Sequence, residues 1–377
     1  MFVRIIITLA LAAVLGSCQS PSVRQEEAPA VPAVRLKYAT GFTISQTDDY
    51  YLIKILTPYK SATEPLQYVF YPRGSKRPAV AADAYVPVPV QRIVCTSTTH
   101  IPLLDYLQES QALVGFPSLQ YISSARMRQR IDSGLVAELG IDQSLNIEKL
   151  LTLQPDVVMA YTMSSDMGQF ALLSEAGIPV IINAEYLEKH PLGRAEWLKL
   201  AGLLFGKEAL ADSLFTTIEQ AYLQTRQLVL QDSARPTVMS GIVYGDSWYL
   251  PGGRNYAARL LQDAGFRYLW QGDTTSAFLP LAFEAVYQRA ATADYWIGVG
   301  SFRTLQELQA ADNRYALFRP FITGQVYSYN KRMGPGGGSE FLELGYLRPD
   351  LILKDLVKIG HPALLPDHRL FFYFKLP

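Results

Sequence analysis

From Lys207 to Asp232 the chain reads KEALADSLFTTIEQAYLQTRQLVLQD, with no proline and no internal glycine to interrupt it. Leu210, Leu214, Ile218, Ala221, Thr225 and Leu228 recur at alternating steps of four and three, which predicts one continuous amphipathic helix with charged and amide side chains opposite. At a rise of ~1.5 Å per residue it would run roughly 35 to 40 Å, long enough to reach across two lobes. On both sides the pattern changes to short β-branched strands alternating with shorter helices. The run therefore predicts a stiff strut between two α/β units. A long packing helix inside one large domain is the alternative.

A chain of 377 residues, 49% of them hydrophobic, has material for two cores. Lys plus Arg and Asp plus Glu number 34 each, which argues against a nucleic-acid surface or a polybasic membrane patch. At the amino terminus Arg4 precedes an apolar run from Ile5 to Leu15 that is too short to span a bilayer, so residues 1–17 read as an export signal. Leu15-Gly16-Ser17-Cys18 looks like the lipobox of bacterial lipoproteins, which implies a lipid on Cys18 and a protein anchored in the periplasm of a Gram-negative bacterium. A plain signal peptide with an incidental cysteine is the other reading. Residues 18–35, rich in Pro, Ala and charge, predict an extended tether. With Cys18 lipidated, Cys95 has no disulfide partner and is expected as a buried small hydrophobe.

Residues 36–91 predict a β-rich appendage on the first lobe: YATGFTISQ, YYLIKIL and LQYVFYPRG alternate as three antiparallel strands, with Thr47-Asp48-Asp49 as a turn. Residues 92–192 predict the first lobe. RIVCT, LVGF, DVVMAY and PVIINA are buried strands separated by helices at 101–107, 147–153 and 169–176, hence a mostly parallel sheet covered by helices. Linking helices occupy 193–232. In residues 233–377 the grammar restarts, with PTVMSGIVY, RYLW, YWIGVG and QVYSYN as strands and helices at 255–264, 281–290, 304–311 and 341–359, the last irregular near Arg348-Pro349. The fold class is thus α/β: two Rossmann-like lobes joined by one long rigid helix. In such sheets the ligand-facing loops leave the carboxyl ends of the strands, here Thr96 to His100 and Tyr161 to Ser165.

One internal echo pairs the lobes. Glu148 and Glu284 each fall in the first turn of a helix that precedes an aspartate-led strand, at Asp156 and Asp294. Helix-terminus electrostatics alone accounts for a carboxylate there. RIVCTSTTHIPLLDYL, SLNIEKLLTLQPDVVMAY, AGIPVIINAEYLEKHPLGRAEWLKLAGLLFGKEALAD, PTVMSGIVYGDSWYLPGG and LPLAFEAVYQRAATADYWI, in that order, resemble the helical-backbone (class III) periplasmic binding proteins of ABC importers for iron siderophores, haem and cobalamin. The likeness runs from about Arg92 to the carboxyl terminus. With the tyrosine-rich amino-terminal region and RPDLILKDLVKIGHPALLPDH it extends to lipoprotein iron-transport binding proteins of Bacteroidetes-like bacteria. The resemblance implies a monomeric, non-enzymatic receptor that opens and closes only slightly and holds a metal chelate between its lobes. It further implies that Glu148 and Glu284 dock on arginines of a permease dimer served by a cytoplasmic ATPase, the strut setting the span between them.

The crevice should then be lined by Thr98, Thr99, His100, Tyr121 and Met163 from the first lobe and Tyr244, Trp248, Tyr249 and Arg254 from the second, with Lys331 and Arg332 at the far rim. Aromatic faces suit a flat, large chelate, and the arginines suit carboxylates or phosphates. His100 could ligate a haem or corrinoid metal or bond a backbone group, and His190, His361 and His368 have no metal-ligand spacing. Gly334-Pro335-Gly336-Gly337-Gly338-Ser339 lacks a P-loop ending and reads as a mobile loop over the crevice mouth, while Leu250 to Asn255 could offer backbone N–H groups to an anion. There is no GxSxG elbow and no paired carboxylates of acid and base type, and no cofactor or structural metal is expected beyond the cargo. A corrinoid receptor, a metal-dependent enzyme on the same bilobed architecture and a lipid-anchored adhesion module remain the competing readings.

Overall fold

A computed structural model describes residues 33–34 and 36–377, apart from 142, 143 and 166. The expected leader, Cys18 and almost all of the expected tether lie outside the described residues. The exception is Ala33–Val34, expected as tether, which pairs antiparallel with Ser45 and Ile44 as the edge of a sheet.

That sheet has five strands, not three. Phe42–Gln46, Tyr51–Ile55 and Leu66–Pro72 form the antiparallel meander, and Ala84–Val88 adds in parallel to Leu66–Pro72. AYVPV is a poor strand signal because Pro87 has no N–H for the ladder. An edge position tolerates that loss, and the strand lies at the edge. The sheet is fastened to its surroundings by carboxylates. Glu196 accepts from the backbone N–H of Lys37, Tyr38 and Ala39, and Glu188 from those of Thr40 and Gly41. On the lobe side, the Tyr68 hydroxyl accepts from the Ile182 N–H.

The first lobe holds a wholly parallel sheet in the order Val180–Ile182, Val157–Ala160, Ile93–Cys95, Leu113–Phe116, Ala137–Glu138. Its central strands are buried along their length, as VVMA and IVC predict for a sheet covered on both faces. Cys95 is buried and free. The second lobe repeats the plan with Arg267–Tyr268, Thr237–Met239, Tyr295–Ile297 and Val326–Ser328 in parallel, closed by antiparallel Phe374–Lys375.

PTVMSGIVY is not one strand. It breaks at Gly241, where φ is +85° and a Cβ would stand 1.9 Å from the Tyr249 carbonyl oxygen. Ile242–Tyr244 then turns into a separate three-stranded antiparallel sheet with Ser247–Pro251 and Phe278–Leu281, so Leu281 is strand where helix was expected. The expected carboxyl-terminal helix divides into Glu340–Leu344 and Pro349–Gly360, proline standing at the first turn of the latter, where no N–H is missed.

The strut is one unbroken helix, Glu208–Leu230. Its buried face is offset from the expected one by a single residue. Ala211, Phe215, Ile218, Tyr222, Thr225 and Val229 are enclosed, while Leu228 is 37% exposed. The face is chosen by what it packs on, the helices Leu198–Phe205 and Pro349–Gly360. Gly202 allows the first of these to come close, since a Cβ there would lie 2.6 Å from the Ala211 Cβ. Tyr222 donates to Asp263 of the second lobe at 2.7 Å, and Glu219 receives Lys37 at 2.8 Å and the Tyr38 hydroxyl at 2.7 Å. The rod is thus pinned to the second lobe and to the amino-terminal sheet.

Candidate functional site

A cavity of about 1030 Å³ opens where three parts of the molecule meet. The amino-terminal sheet contributes Thr40, Gly41, Thr57, Lys60 and Ser61. The segment after the edge strand of the first lobe contributes Tyr186, Glu188, Lys189 and Arg194. The second lobe contributes Ser240 to Ile242, Tyr249, Tyr256, Gly298, Gly300, Tyr329, Tyr346 and Tyr373. The second-lobe residues Ser240, Gly298 and Tyr329 directly follow parallel strands, so the cavity lies at their carboxyl ends, where a doubly wound sheet presents its ligand loops.

Arg194 is the most constrained polar group in it. Its Nε donates to the Glu188 carbonyl at 3.1 Å and its Nη2 to the Tyr186 carbonyl at 2.9 Å, and the guanidinium lies between the rings of Tyr256 (3.7 Å) and Tyr346 (4.1 Å). The two rings, tilted 56° to each other, both lie against the guanidinium, a cation–π contact that suits Arg better than Lys. Glu188, the nearest acidic liner in sequence, is saturated: it accepts from Thr40, Gly41 and the Trp197 indole. Six tyrosines line the walls. Burial raises the hydroxyl pKa of Tyr186, Tyr256, Tyr329 and Tyr373, so these hydroxyls stay protonated at neutral pH; Tyr186 and Tyr256 already donate to the carbonyls of Thr162 and Gly345.

The far end of the interlobe contact is closed. Glu343 of the second lobe accepts from the backbone N–H of Ser123 at 2.6 Å and of Ser124 at 2.9 Å, at the start of the first-lobe helix Ala125–Asp132. Burial pushes its carboxyl up to about 7 against those hydrogen bonds. The glycine-rich stretch 334–338 packs here too. A Cβ on Gly336 or Gly338 would collide with the carbonyls of Gln120 or Tyr121, so the segment expected as a mobile loop is a tight turn seated on the first lobe.

Of the residues expected to line the crevice, Tyr249 lines the cavity and the rest do not. Trp248 is fully buried among Trp296, Phe283, Tyr315 and Phe318, with its indole N–H on the Ser240 carbonyl. His100 is also fully buried. Its full burial removes it as a cargo ligand in this conformation; neither ring nitrogen makes a well-formed hydrogen bond, and burial drives its pKa down to about 3, the nearby Met159 backbone opposing. Thr98 is half-buried beside it, and Thr99 is turned to Glu185 at 2.5 Å. Tyr121 (50% exposed) ends a helical turn under the glycine-rich segment at the closed end of the interlobe contact, Met163 (65%) is exposed on a first-lobe loop, and Tyr244 (79%) caps a hairpin with its ring against Tyr249.

Arg254 is exposed, and the backbone around it is spoken for: Gly252 N–H donates to the Ala277 carbonyl and Arg254 N–H to that of Thr275, so no anion cradle is left there. Lys331 donates to the Leu370 carbonyl, and Arg332 pairs with Glu340 at 2.6 Å over the Phe371 ring. Glu148 and Glu284 are both exposed in the first turns of Ile147–Leu153 and Phe283–Ala290. Among the described residues no three His, Cys, Asp or Glu side chains converge as a metal site. Sequence reasoning misses Arg194 because its role depends on two tyrosines 62 and 152 positions away, and it misses Lys60 because the strand-rich segment around it reads as an appendage.

A profile of the family described as periplasmic binding protein matches residues 93–333. An uncharacterized lipoprotein of Methanocaldococcus jannaschii is 24% identical over 297 residues, covering 76% of this chain and 69% of its own. Among solved structures, a possible iron-binding, periplasmic solute-binding protein from Staphylococcus epidermidis aligns over 72% of this chain and 99% of its own at 15% identity with a TM-score of 0.56. A periplasmic heme-binding protein from Pseudomonas aeruginosa aligns over 73% and 94% at 17% identity with a TM-score of 0.53.

Proposed function

Because the chain belongs to the periplasmic binding protein family, we propose that it is the substrate-binding component of an ABC importer, capturing a metal chelate, an iron siderophore or haem, and delivering it to a permease dimer. The observation that carries this reading is the cavity of about 1030 Å³ at the carboxyl ends of the second-lobe strands, walled by six tyrosines and floored by Arg194. A pocket of several hundred to about 1,000 Å³ with aromatic walls and few fixed polar groups fits a large, flat or many-ringed ligand. Glu148 and Glu284 are the docking carboxylates, one per lobe, and Cys18 carries the lipid that keeps the receptor at the membrane of a Gram-negative, Bacteroidetes-type cell. The lipoprotein name of the archaeal relative supports the anchor.

The test is titration of the purified, leaderless protein with haemin, a ferric hydroxamate siderophore and cyanocobalamin, read by intrinsic fluorescence and calorimetry. Binding in the micromolar range or tighter by haemin or the siderophore is expected. Binding of none of the three would sink the receptor reading.

A further inference from the structure

The family match begins at residue 93 and ends at 333, yet the cavity draws walls from both sides of that span: Thr40, Gly41, Thr57, Lys60 and Ser61 before it and Tyr346 and Tyr373 after it. Two features of the amino-terminal wall mark it as built and not merely adjacent. The wall is fastened to the first lobe at Thr40 and Gly41, whose backbone N–H groups both donate to the Glu188 carboxylate, at 2.9 and 2.7 Å. Its tip, Ser61, holds a left-handed φ of +71° without being glycine, an arrangement that costs backbone energy and persists only where surroundings enforce it.

Arg194 lines the same cavity; it is 9% exposed and makes no ion pair among the described residues, the buried Glu185 carboxylate acting on it only from beyond contact distance. Its two hydrogen bonds go to neutral carbonyls, and its Nη1 makes none among the described residues. A nearly buried guanidinium is ordinarily neutralised by an acid, because desolvating an uncompensated charge is costly. Here the only acidic liner among the described residues, Glu188, is consumed by Thr40, Gly41 and Trp197. Lys60 and Lys189, both exposed, line the same cavity and add positive charge to it.

Resting on the receptor reading above, we propose that the amino-terminal sheet is part of the binding site and that Lys60, Lys189 and Arg194 form its acid-recognising end, so that the cargo presents carboxylates there while its body lies on the tyrosine walls. The cargo supplies an anion in direct contact with Arg194, whose own hydrogen bonds go to neutral carbonyls. Selectivity for the acidic groups is then set by a segment outside the family match, and the sheet is a wall of the site rather than an appendage.

The test compares haemin with its dimethyl ester, which differ only in two carboxylates, alongside ferric citrate and the carboxylate-free ferrioxamine B. The wild type should bind haemin at least about tenfold more tightly than the ester, the size expected for charge-assisted hydrogen bonds. Lys60→Ala combined with Lys189→Ala should shrink that ratio several-fold, the loss falling mainly on haemin and not on the ester. Arg194→Gln should shrink it further. Because Arg194 also packs between two tyrosines, the exposed lysine pair carries the test if R194Q does not fold. Equal affinity of wild type for haemin and its ester overturns the proposal, as does an equal loss for both in the lysine variant. Ferrioxamine B binding without any preference for the carboxylate probes leaves the receptor reading standing and removes this one, whereas no binding of any of the four removes both.

Discussion

His100 opens the helix that follows the first parallel strand, yet its ring is closed off entirely and neither nitrogen makes a well-formed hydrogen bond. An unpaired buried polar group costs about 1–3 kcal/mol, whereas an apolar side chain of similar shape carries no such penalty. His100→Leu should therefore leave the unfolding free energy in urea within about 1 kcal/mol of the parent or raise it, and leave chelate affinity unchanged; a large loss of affinity would restore the histidine as a ligand, and a large loss of stability would show that its ring is hydrogen-bonded to the Met159 backbone. Nearby, Glu185 accepts from Thr99 and is pushed up to about 7 by burial, that hydrogen bond only partly opposing. A carboxyl raised in the folded state contributes stability that is complete below its ordinary value of 4.5 and is lost as the pH climbs through 7. Glu185→Gln, which keeps an acceptor for Thr99, should flatten the fall in melting temperature between about pH 5 and 8, and Glu343, raised in the same direction, should supply what slope remains. An unchanged profile would show that Glu185 is charged and well solvated. At this scale the sequence is informative about Cys95, whose β-branched neighbours announce a buried strand, and poor about Trp248 and His100. A residue just past a strand end is placed near the ligand edge by topology, but which way its side chain turns is settled by the packing of distant residues such as Trp296 and Phe318.

The strut is legible because helix periodicity without breakers is a local signal. Its exact face is not, because leucines flank the seam on both sides and the partner helices choose between them. The choice falls on Phe215, Tyr222 and Val229. Phe215→Ala should accordingly cost about 3–5 kcal/mol in unfolding free energy, while Leu228→Ala, on the solvent side, should cost less than about 1; comparable costs would place the seam on the leucine face. Gly241 and Glu343 are invisible for the opposite reason. Gly241 passes for an ordinary strand glycine until the Tyr249 carbonyl is brought against it, and Glu343 passes for one more acid in a helix until it meets the backbone N–H groups of Ser123 and Ser124. Glu343→Ala removes the acceptor for both and should raise amide hydrogen exchange across 120–126 and 333–343 by about tenfold or more, because the turn 334–338 loses its neighbouring fastener. Unaltered exchange would mean that the glycine turn alone holds the lobes together at that end.

For the molecule as a whole, a rod pinned to the second lobe through Tyr222 and Asp263 and to the amino-terminal sheet through Glu219 leaves little freedom for the lobes to separate. One consequence concerns the two carboxylates that lead corresponding helices. Glu148 has no ion-pair partner among the described residues, and Glu284, 80% exposed, has only Arg314 at 3.8 Å, which is itself committed to Asp312 at 2.7 Å. Each sits at a helix N-terminus, where reversing its charge costs only about 0.3–1 kcal/mol, so Glu148→Arg with Glu284→Arg should remain folded. Neither residue touches the cavity, and chelate affinity should stay within about twofold. If the two carboxylates dock on a permease as proposed, uptake by cells carrying that importer should nevertheless fall to background, since like charges would then meet there. Salt supplies the control: encounter between exposed charges weakens as the screening length drops to about 8–10 Å, so reconstituted transport by the parent should slow between low and physiological ionic strength while binding of a carboxylate-free chelate changes far less. Single reversals discriminate further. If the strut holds both carboxylates at one span that a two-fold partner must match, each single variant should lose most of the activity of the pair, because engaging one site no longer presents the other; independent, additive losses would instead indicate that the lobes dock separately and that the rod plays no part in recognition.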